Sequence, residues 1–241
     1  MSGFHDKLAV VTGTTSGIGE AIVRRLAHAG AHVCLLARDQ RKLDALRESL
    51  GASTTVHTDV ADLADRNDVE ALAKRLQSSF NGVDILVHSA GLLHFGTIGA
   101  TPAEVLDRHY QINVRAPYCL TRALLPALRA RRGQVVFLNS SVVWQPVHAD
   151  LACYTATKHA MKALADALRA EVNEDGIRVL SVYPGRTATP MQARVYVREN
   201  RSYAPEKLLQ PEEIADVVLN ALQLPASAEV TDISIRPMRR S

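Results

Sequence analysis

Little in this sequence points to a membrane, a metal or a nucleic acid. It holds three cysteines, Cys34, Cys119 and Cys153. They are odd in number and scattered, which leaves no disulfide framework and no metal-ligand spacing, and fits a reducing compartment. No apolar run approaches the ~20 residues that span a bilayer. The opening Met1-Ser2-Gly3-Phe4-His5-Asp6-Lys7 has no charged segment followed by an apolar core, so no signal peptide is expected. The net charge of +3 is spread along the chain and is too weak to argue for nucleic acid. The expectation is a cytoplasmic protein with no metal, no membrane and no nucleic-acid partner.

What is present is ordinary for a globular enzyme: 241 residues, 47% apolar and 22% charged. That length suits one α/β domain with a sizeable core. Short apolar runs alternate with helical patterns. Strands are expected at about 7–12, 31–37, 54–58, 84–88, 134–139, 177–182 and 229–235. Helices are expected after Gly19, over 39–50, 63–80, 104–128 (re-started near Asn113), from Tyr154 onward and over 211–222. Seven strands in alternation with helices predict a Rossmann-like, doubly wound, seven-stranded parallel sheet with helices on both faces, in a single domain over 1–241. The least regular stretch, 186–210, is rich in Arg, Tyr and Pro, and a connection of that length is expected to be a mobile substrate loop.

Gly13-Thr14-Thr15-Ser16-Gly17-Ile18-Gly19 follows the first strand and opens a helix. Small residues there let the backbone approach a pyrophosphate, and a helix N-terminus offers free N–H groups and a positive dipole end. The spacing differs from G-x-G-x-x-G, but the position after the first strand of an α/β chain points to a dinucleotide. The end of the second strand should approach the adenosine ribose. It carries Ala37 and then Arg38, and an arginine there pairs with a 2′-phosphate, which predicts NADP(H) over NAD(H). Asp39 follows one residue later.

Tyr154-Thr155-Ala156-Thr157-Lys158 opens a long apolar helical run, so Tyr154 and Lys158 share a face. A free tyrosine titrates near pH ~10, leaving about 0.1% phenolate at neutral pH. An ammonium ~4 Å away is worth roughly 4 kcal/mol at an effective dielectric of ~20, about three pKa units. Such a couple can act as an acid/base with no metal and no histidine.

These stretches, in this order, resemble the short-chain dehydrogenase/reductase family over nearly the whole chain. Thr12-Gly13-Thr14-Thr15-Ser16-Gly17-Ile18-Gly19 is similar to its T-G-x-x-x-G-x-G turn, Asp59-Val60 to its adenine-contacting Asp after the third strand, and Asn113 to its central-helix asparagine. Ser140-Ser141 resembles its paired serines, Tyr154-x-x-x-Lys158 its Y-x-x-x-K, and Pro184-Gly185 its P-G. The family spaces its serine thirteen residues before the tyrosine, which selects Ser141. The fourth strand departs from the family's Asn-Asn-Ala-Gly and reads His88-Ser89-Ala90-Gly91. The Ala-Gly pair near the cofactor ribose is kept, and His88 reads as a buried, hydrogen-bonded structural histidine. Cys153 reads as a small buried hydrophobe, with its place beside Tyr154 unassigned.

The resemblance implies an NADP(H)-dependent alcohol dehydrogenase or carbonyl reductase acting on a small ketone, aldehyde or hydroxy acid. Tyr154 would donate the proton, Ser141 hold the carbonyl oxygen, Lys158 lower the tyrosine pKa, and Asn113 hold a relay water. Cofactor contacts would come from Gly13, Thr15, Ser16, Gly17, Ile18, Gly19, Arg38, Asp59, Val60, Ala90, Gly91, Tyr154, Lys158, Pro184, Gly185, Thr187 and Thr189. The cofactor half would be about 1–112, and the catalytic and substrate half 113–241. Substrate would meet Leu92, Leu93, His94 and Phe95 after the fourth strand, Val142, Val143 and Trp144 with Pro146 and Val147, and the irregular stretch that starts at Arg186. Arg186, Arg194, Arg198 and Arg201 leave an anionic substrate open beside a plain solvated basic segment. The competing class is a nucleotide-binding redox sensor or scaffold without catalysis, which usually lacks the Tyr or Lys. Helices with apolar residues on more than one face suggest a homodimer or homotetramer.

Overall fold

The computed structural model describes residues 3–146 and 148–238, so Val147 lies outside the described residues. Seven parallel strands form one sheet in the order β3-β2-β1-β4-β5-β6-β7. They are β1 (Leu8–Thr12), β2 (His32–Ala37), β3 (Val56–Val60), β4 (Ile85–His88), β5 (Gln134–Leu138), β6 (Arg178–Pro184) and β7 (Asp232–Ile235). The central strands are near-continuous Val, Leu and Ile because helices cover both of their faces.

On one face α1 (Gly17–His28), α2 (Gln40–Ser49) and α8 (Pro211–Leu222) bury Ile22, Leu26, Leu43 and Val218 against the sheet. On the other, α3 (Arg66–Ser79), α5 (Ala116–Arg131) and α6 (Ala152–Val172) bury Leu72, Leu120, Leu124 and Met161. Each fully buried side chain of this size stabilises by about 1.5–3 kcal/mol relative to exposure. Local chemistry sets the helix ends. Asp39 caps α2 by accepting from the Lys42 N–H, and Gln210 and Glu213 form a reciprocal capping box at α8. No helix among the described residues is long and apolar enough to cross a membrane.

Two elements depart from the sequence reading. The expected 104–128 helix is α4 (Ala103–Tyr110), a π-helical turn over Gln111–Arg115, and α5. The turn holds Asn113, where a re-start was expected. The irregular stretch 186–210 contains a nine-residue helix, α7 (Pro190–Arg198), started by Pro190 and capped by the Thr189 hydroxyl. The strand order reverses between β1 and β4, and a ligand crevice opens beyond the carboxyl ends of strands at such a point.

Candidate active site

A cleft of about 560 Å³ opens there. Its floor is the turn after β1. Gly13 has φ +70, and a Cβ on it would sit 2.7 Å from the Ala90 Cα, so the β1 and β4 ends pack backbone to backbone. Thr12 ties them further: its hydroxyl accepts from the Ser89 and Ala90 N–H groups at 3.1 Å each. Gly19 lies behind the floor, where a Cβ would collide with the Gly13 carbonyl. Ser16 precedes α1 without a side-chain cap bond, which leaves the first-turn N–H groups uncapped, and Ser16, Gly17 and Ile18 line the cleft.

Of the sequence-predicted cofactor residues, Gly13, Thr15, Ser16, Gly17, Ile18, Arg38, Ala90, Gly91, Tyr154, Lys158, Pro184, Gly185, Thr187 and Thr189 line this cleft. Asp59 and Val60 do not. β3 runs on to Val60, past its expected end at Thr58, which places Asp59 inside the strand opposite Leu36. Its carboxylate takes Arg75 of α3 at 2.8 Å, and Ala61, Asp62 and Leu63 line the cleft in its stead.

The reactive end is built on α6. Tyr154 and Lys158 are both buried. The Lys158 Nζ donates to the Leu138 carbonyl at 2.9 Å and lies 5.7 Å from the centre of the Tyr154 ring. Burial pushes the lysine down to about 7. Burial also raises the Tyr154 phenol above its ordinary value, while a hydrogen bond with Ser140 pulls the other way. The expected lowering of the tyrosine by its lysine is therefore outweighed: desolvation dominates both groups, and the ammonium points to a backbone carbonyl rather than at the phenol.

Two neighbouring serines, Ser140 and Ser141, line the cleft beside Tyr154. Ser140 caps the 3₁₀ turn Ser141–Trp144, accepting from the Val142 N–H at 3.3 Å, and it is the serine that pulls the Tyr154 phenol downward. Ser141 lines the same cleft, but its Oγ takes the Gln145 side chain at 3.0 Å. Asn139 aligns this segment by bonding the Lys158 carbonyl at 3.2 Å and accepting from the Ser140 N–H at 2.9 Å. The sequence reading passed over Asn139; its signal was a polar residue ending an apolar strand.

Asn113 is fully buried behind Gly91. Its amide donates to the Leu92 carbonyl and the Thr157 hydroxyl, both at 3.0 Å, and its oxygen accepts from the Leu92 N–H at 2.8 Å. Both side-chain donors are committed to protein, so Asn113 acts as a clamp here and its amide has no donor left for a relay water.

The predicted substrate pocket is redrawn. Arg186 lines the cleft, but Glu199 pairs with it at 2.6 and 2.8 Å, and Tyr196 stacks between Arg186 and Arg201. Glu199 also pairs with Arg201, at 3.3 Å, so one carboxylate is shared by two guanidiniums. Of the expected loop residues, Leu92, Leu93 and Phe95 line the cleft and His94 does not. Val143 is buried behind Val142. Trp144 is 57% exposed and packs edge-on against Tyr183 at 5.3 Å, with Lys162 over it. Arg108, Gln145, His148, Asp150 and Gln192, none singled out from sequence, complete a wall more polar than expected.

His88 is buried, bonded to Thr121 at 2.8 Å, and pushed down by burial to about 3, so it is neutral and structural. Cys153 is a free, half-buried thiol. Among the described residues no cluster of three metal-ligating side chains occurs.

Comparison with known proteins agrees with this geometry. An uncharacterized oxidoreductase of Staphylococcus epidermidis is 31% identical over 239 residues, covering 99% of this chain and 100% of the relative. An alcohol dehydrogenase of the archaeon Thermococcus sibiricus, solved with 5-hydroxy-NADP, superposes with a TM-score of 0.86 at 28% identity, covering 98% of this chain and 99% of its own. An L-sorbose reductase of Gluconobacter frateurii, solved with NADPH and L-sorbose, superposes at 0.87 and 29%, covering 97% and 96%. The short chain dehydrogenase family model matches residues 7–200. A match over that length, on a sheet of this order, makes the chain a member of the short-chain dehydrogenase family of oxidoreductases.

Proposed function

We propose that the chain is an NADP(H)-dependent carbonyl reductase, interconverting a small ketone, aldehyde or hydroxy acid with its partner alcohol or keto form. One observation carries the reading: Tyr154, Lys158 and Ser140 converge at one end of a cleft whose floor is the glycine turn and whose far end carries Arg38. The residues fit a dinucleotide. The N–H groups of α1 are uncapped, and the Thr14 hydroxyl is buried with no partner. When bound, the nicotinamide supplies or accepts the hydride.

The rest is done by this chain. The buried Tyr154 phenol stays protonated through neutral pH and gives its proton to the developing alkoxide. Ser140 bonds the same oxygen and fixes its place. Lys158, beside the ring, steadies the phenolate after transfer. Tyr154 and the clamped Leu92–Phe95 loop exclude water from the reacting oxygen. The phosphate preference rests on Arg38, which lines the cleft, while the Asp39 carboxylate is drawn into the α2 cap. NADP(H) in the similar structures supports the same choice. Exposed Leu106, Tyr110 and Tyr118 along α4 and α5 favour self-association.

The test is NADPH absorbance against a panel of ketones, aldehydes and β-keto acids. Turnover of at least one class, faster with NADPH than NADH, is expected; NADPH binding with no turnover of any would defeat the proposal.

A further inference from the structure

We propose that His109 is a positioning residue for the substrate side of the cleft, holding the Gly91–Gly96 loop through the His94 backbone amide. The proposal rests on the reading that this cleft takes a carbonyl substrate.

The helix α4 has eight residues, and His109 is its one buried side chain. It exposes no surface, while Leu106 on the same helix is 43% exposed. A helix that packs through a single position normally places an apolar residue there. Burying an imidazole is costly unless both nitrogens find partners. Here both do. Nδ1 lies 2.7 Å from the Val105 carbonyl, which can only accept, so Nδ1 carries the proton. Nε2 lies 3.1 Å from the His94 backbone nitrogen, which can only donate, so Nε2 is bare. The two backbone partners thus dictate one neutral tautomer and one ring orientation. Burial is the main influence keeping the ring neutral; the Val105 carbonyl opposes it and the His94 side chain adds to it.

The loop that His109 holds matters for its neighbours. Leu92, Leu93 and Phe95 line the cleft on both sides of His94. Asn113, four residues on from His109, clamps the Leu92 N–H and carbonyl. At the other end the Gly96 N–H donates to the Asp150 carbonyl at 2.7 Å. Between these two pins, His109 supplies the one hydrogen bond to the loop backbone found among the described residues. Without it, Leu93 and Phe95 lose the restraint between them, and the wall facing the reacting carbonyl loosens. Misplacement of such contacts by an ångström can be felt strongly in turnover of bound substrate.

The experiment compares the wild-type protein with H109Q, whose side-chain oxygen can accept where Nε2 does, and H109L, which fills the space without an acceptor. In wild type and H109Q the His94 amide should exchange with solvent slowly, and in H109L at least about tenfold faster. The KM for the carbonyl substrate should rise about tenfold in H109L, with NADPH affinity unchanged and H109Q close to wild type. Amide exchange needs no substrate, so it remains readable if no carbonyl is turned over; that result would sink the proposed reaction and leave the loop assignment standing. If H109L does not fold, wild type and H109Q decide. Fast exchange of the His94 amide in wild type, an unchanged KM in H109L, or H109Q failing as H109L does would each overturn the assignment.

Discussion

Ser140, and not Ser141, is the serine whose hydrogen bonding pulls against the burial that raises the Tyr154 phenol. The spacing of thirteen residues favours Ser141, yet that side chain is turned along the 3₁₀ turn to Gln145. Ser140→Ala is therefore expected to cut kcat about a hundredfold, the usual cost of losing one oxyanion donor, while Ser141→Ala stays within a few-fold. Steady-state kinetics on the two variants check this, and the opposite ranking would restore the spacing argument.

Lys158 couples the site to stability. Its amine gives up a proton near pH 7 when folded and near 10.5 when unfolded. Between those values the unfolded chain holds the extra proton, so stability rises with pH, and below about 7 the cost of burying the ammonium is fully present. Lys158→Met should stabilise the protein at pH 7 by on the order of a few kcal/mol and flatten the rise between pH 7 and 9. Urea unfolding at several pH values would show it. A variant with wild-type slope would mean that the ammonium is not buried as described.

Arg38 is expected to set the cofactor. Arg38→Ala should raise the NADPH Kd about tenfold or more and leave the NADH Kd within a few-fold, as loss of a charge-assisted phosphate contact would. Titration with each nucleotide measures both, and equal losses for the two would remove Arg38 from the 2′-phosphate.

Asp59 gives a contrasting case. Its carboxylate belongs to Arg75 at the α3 surface. Asp59→Asn should leave nucleotide affinity within two- to threefold and cost at most about 1 kcal/mol of stability, as an exposed pair does. A large loss of NADPH binding would return Asp59 to the adenine.

Much of this was legible in the chain. Apolar runs of strand length separated by helical patterns gave seven parallel strands, because a sheet covered on both faces writes itself as continuous Val, Ile and Leu. The glycine turn was readable because few residues allow such close backbone approach. What was hidden depends on side-chain direction. Where the Asp59 carboxylate goes depends on Arg75, sixteen residues away on α3, reaching back to it. A tight 3₁₀ turn decides between neighbouring serines. Whether Arg186 is a free charge depends on Glu199, thirteen residues away, coming back to it through α7. His109 sits at an apolar position of a short helix, and its partners lie in a loop that no periodicity reveals.

The most direct measurement is NADPH consumption by wild type and Tyr154→Phe with the best carbonyl substrate, alongside NADPH affinity for both. Phe keeps the buried ring and removes the proton. The expected result is a fall in kcat of at least about 10³-fold with the NADPH Kd unchanged. Turnover within tenfold of wild type would contradict Tyr154 as the acid on which the whole account depends.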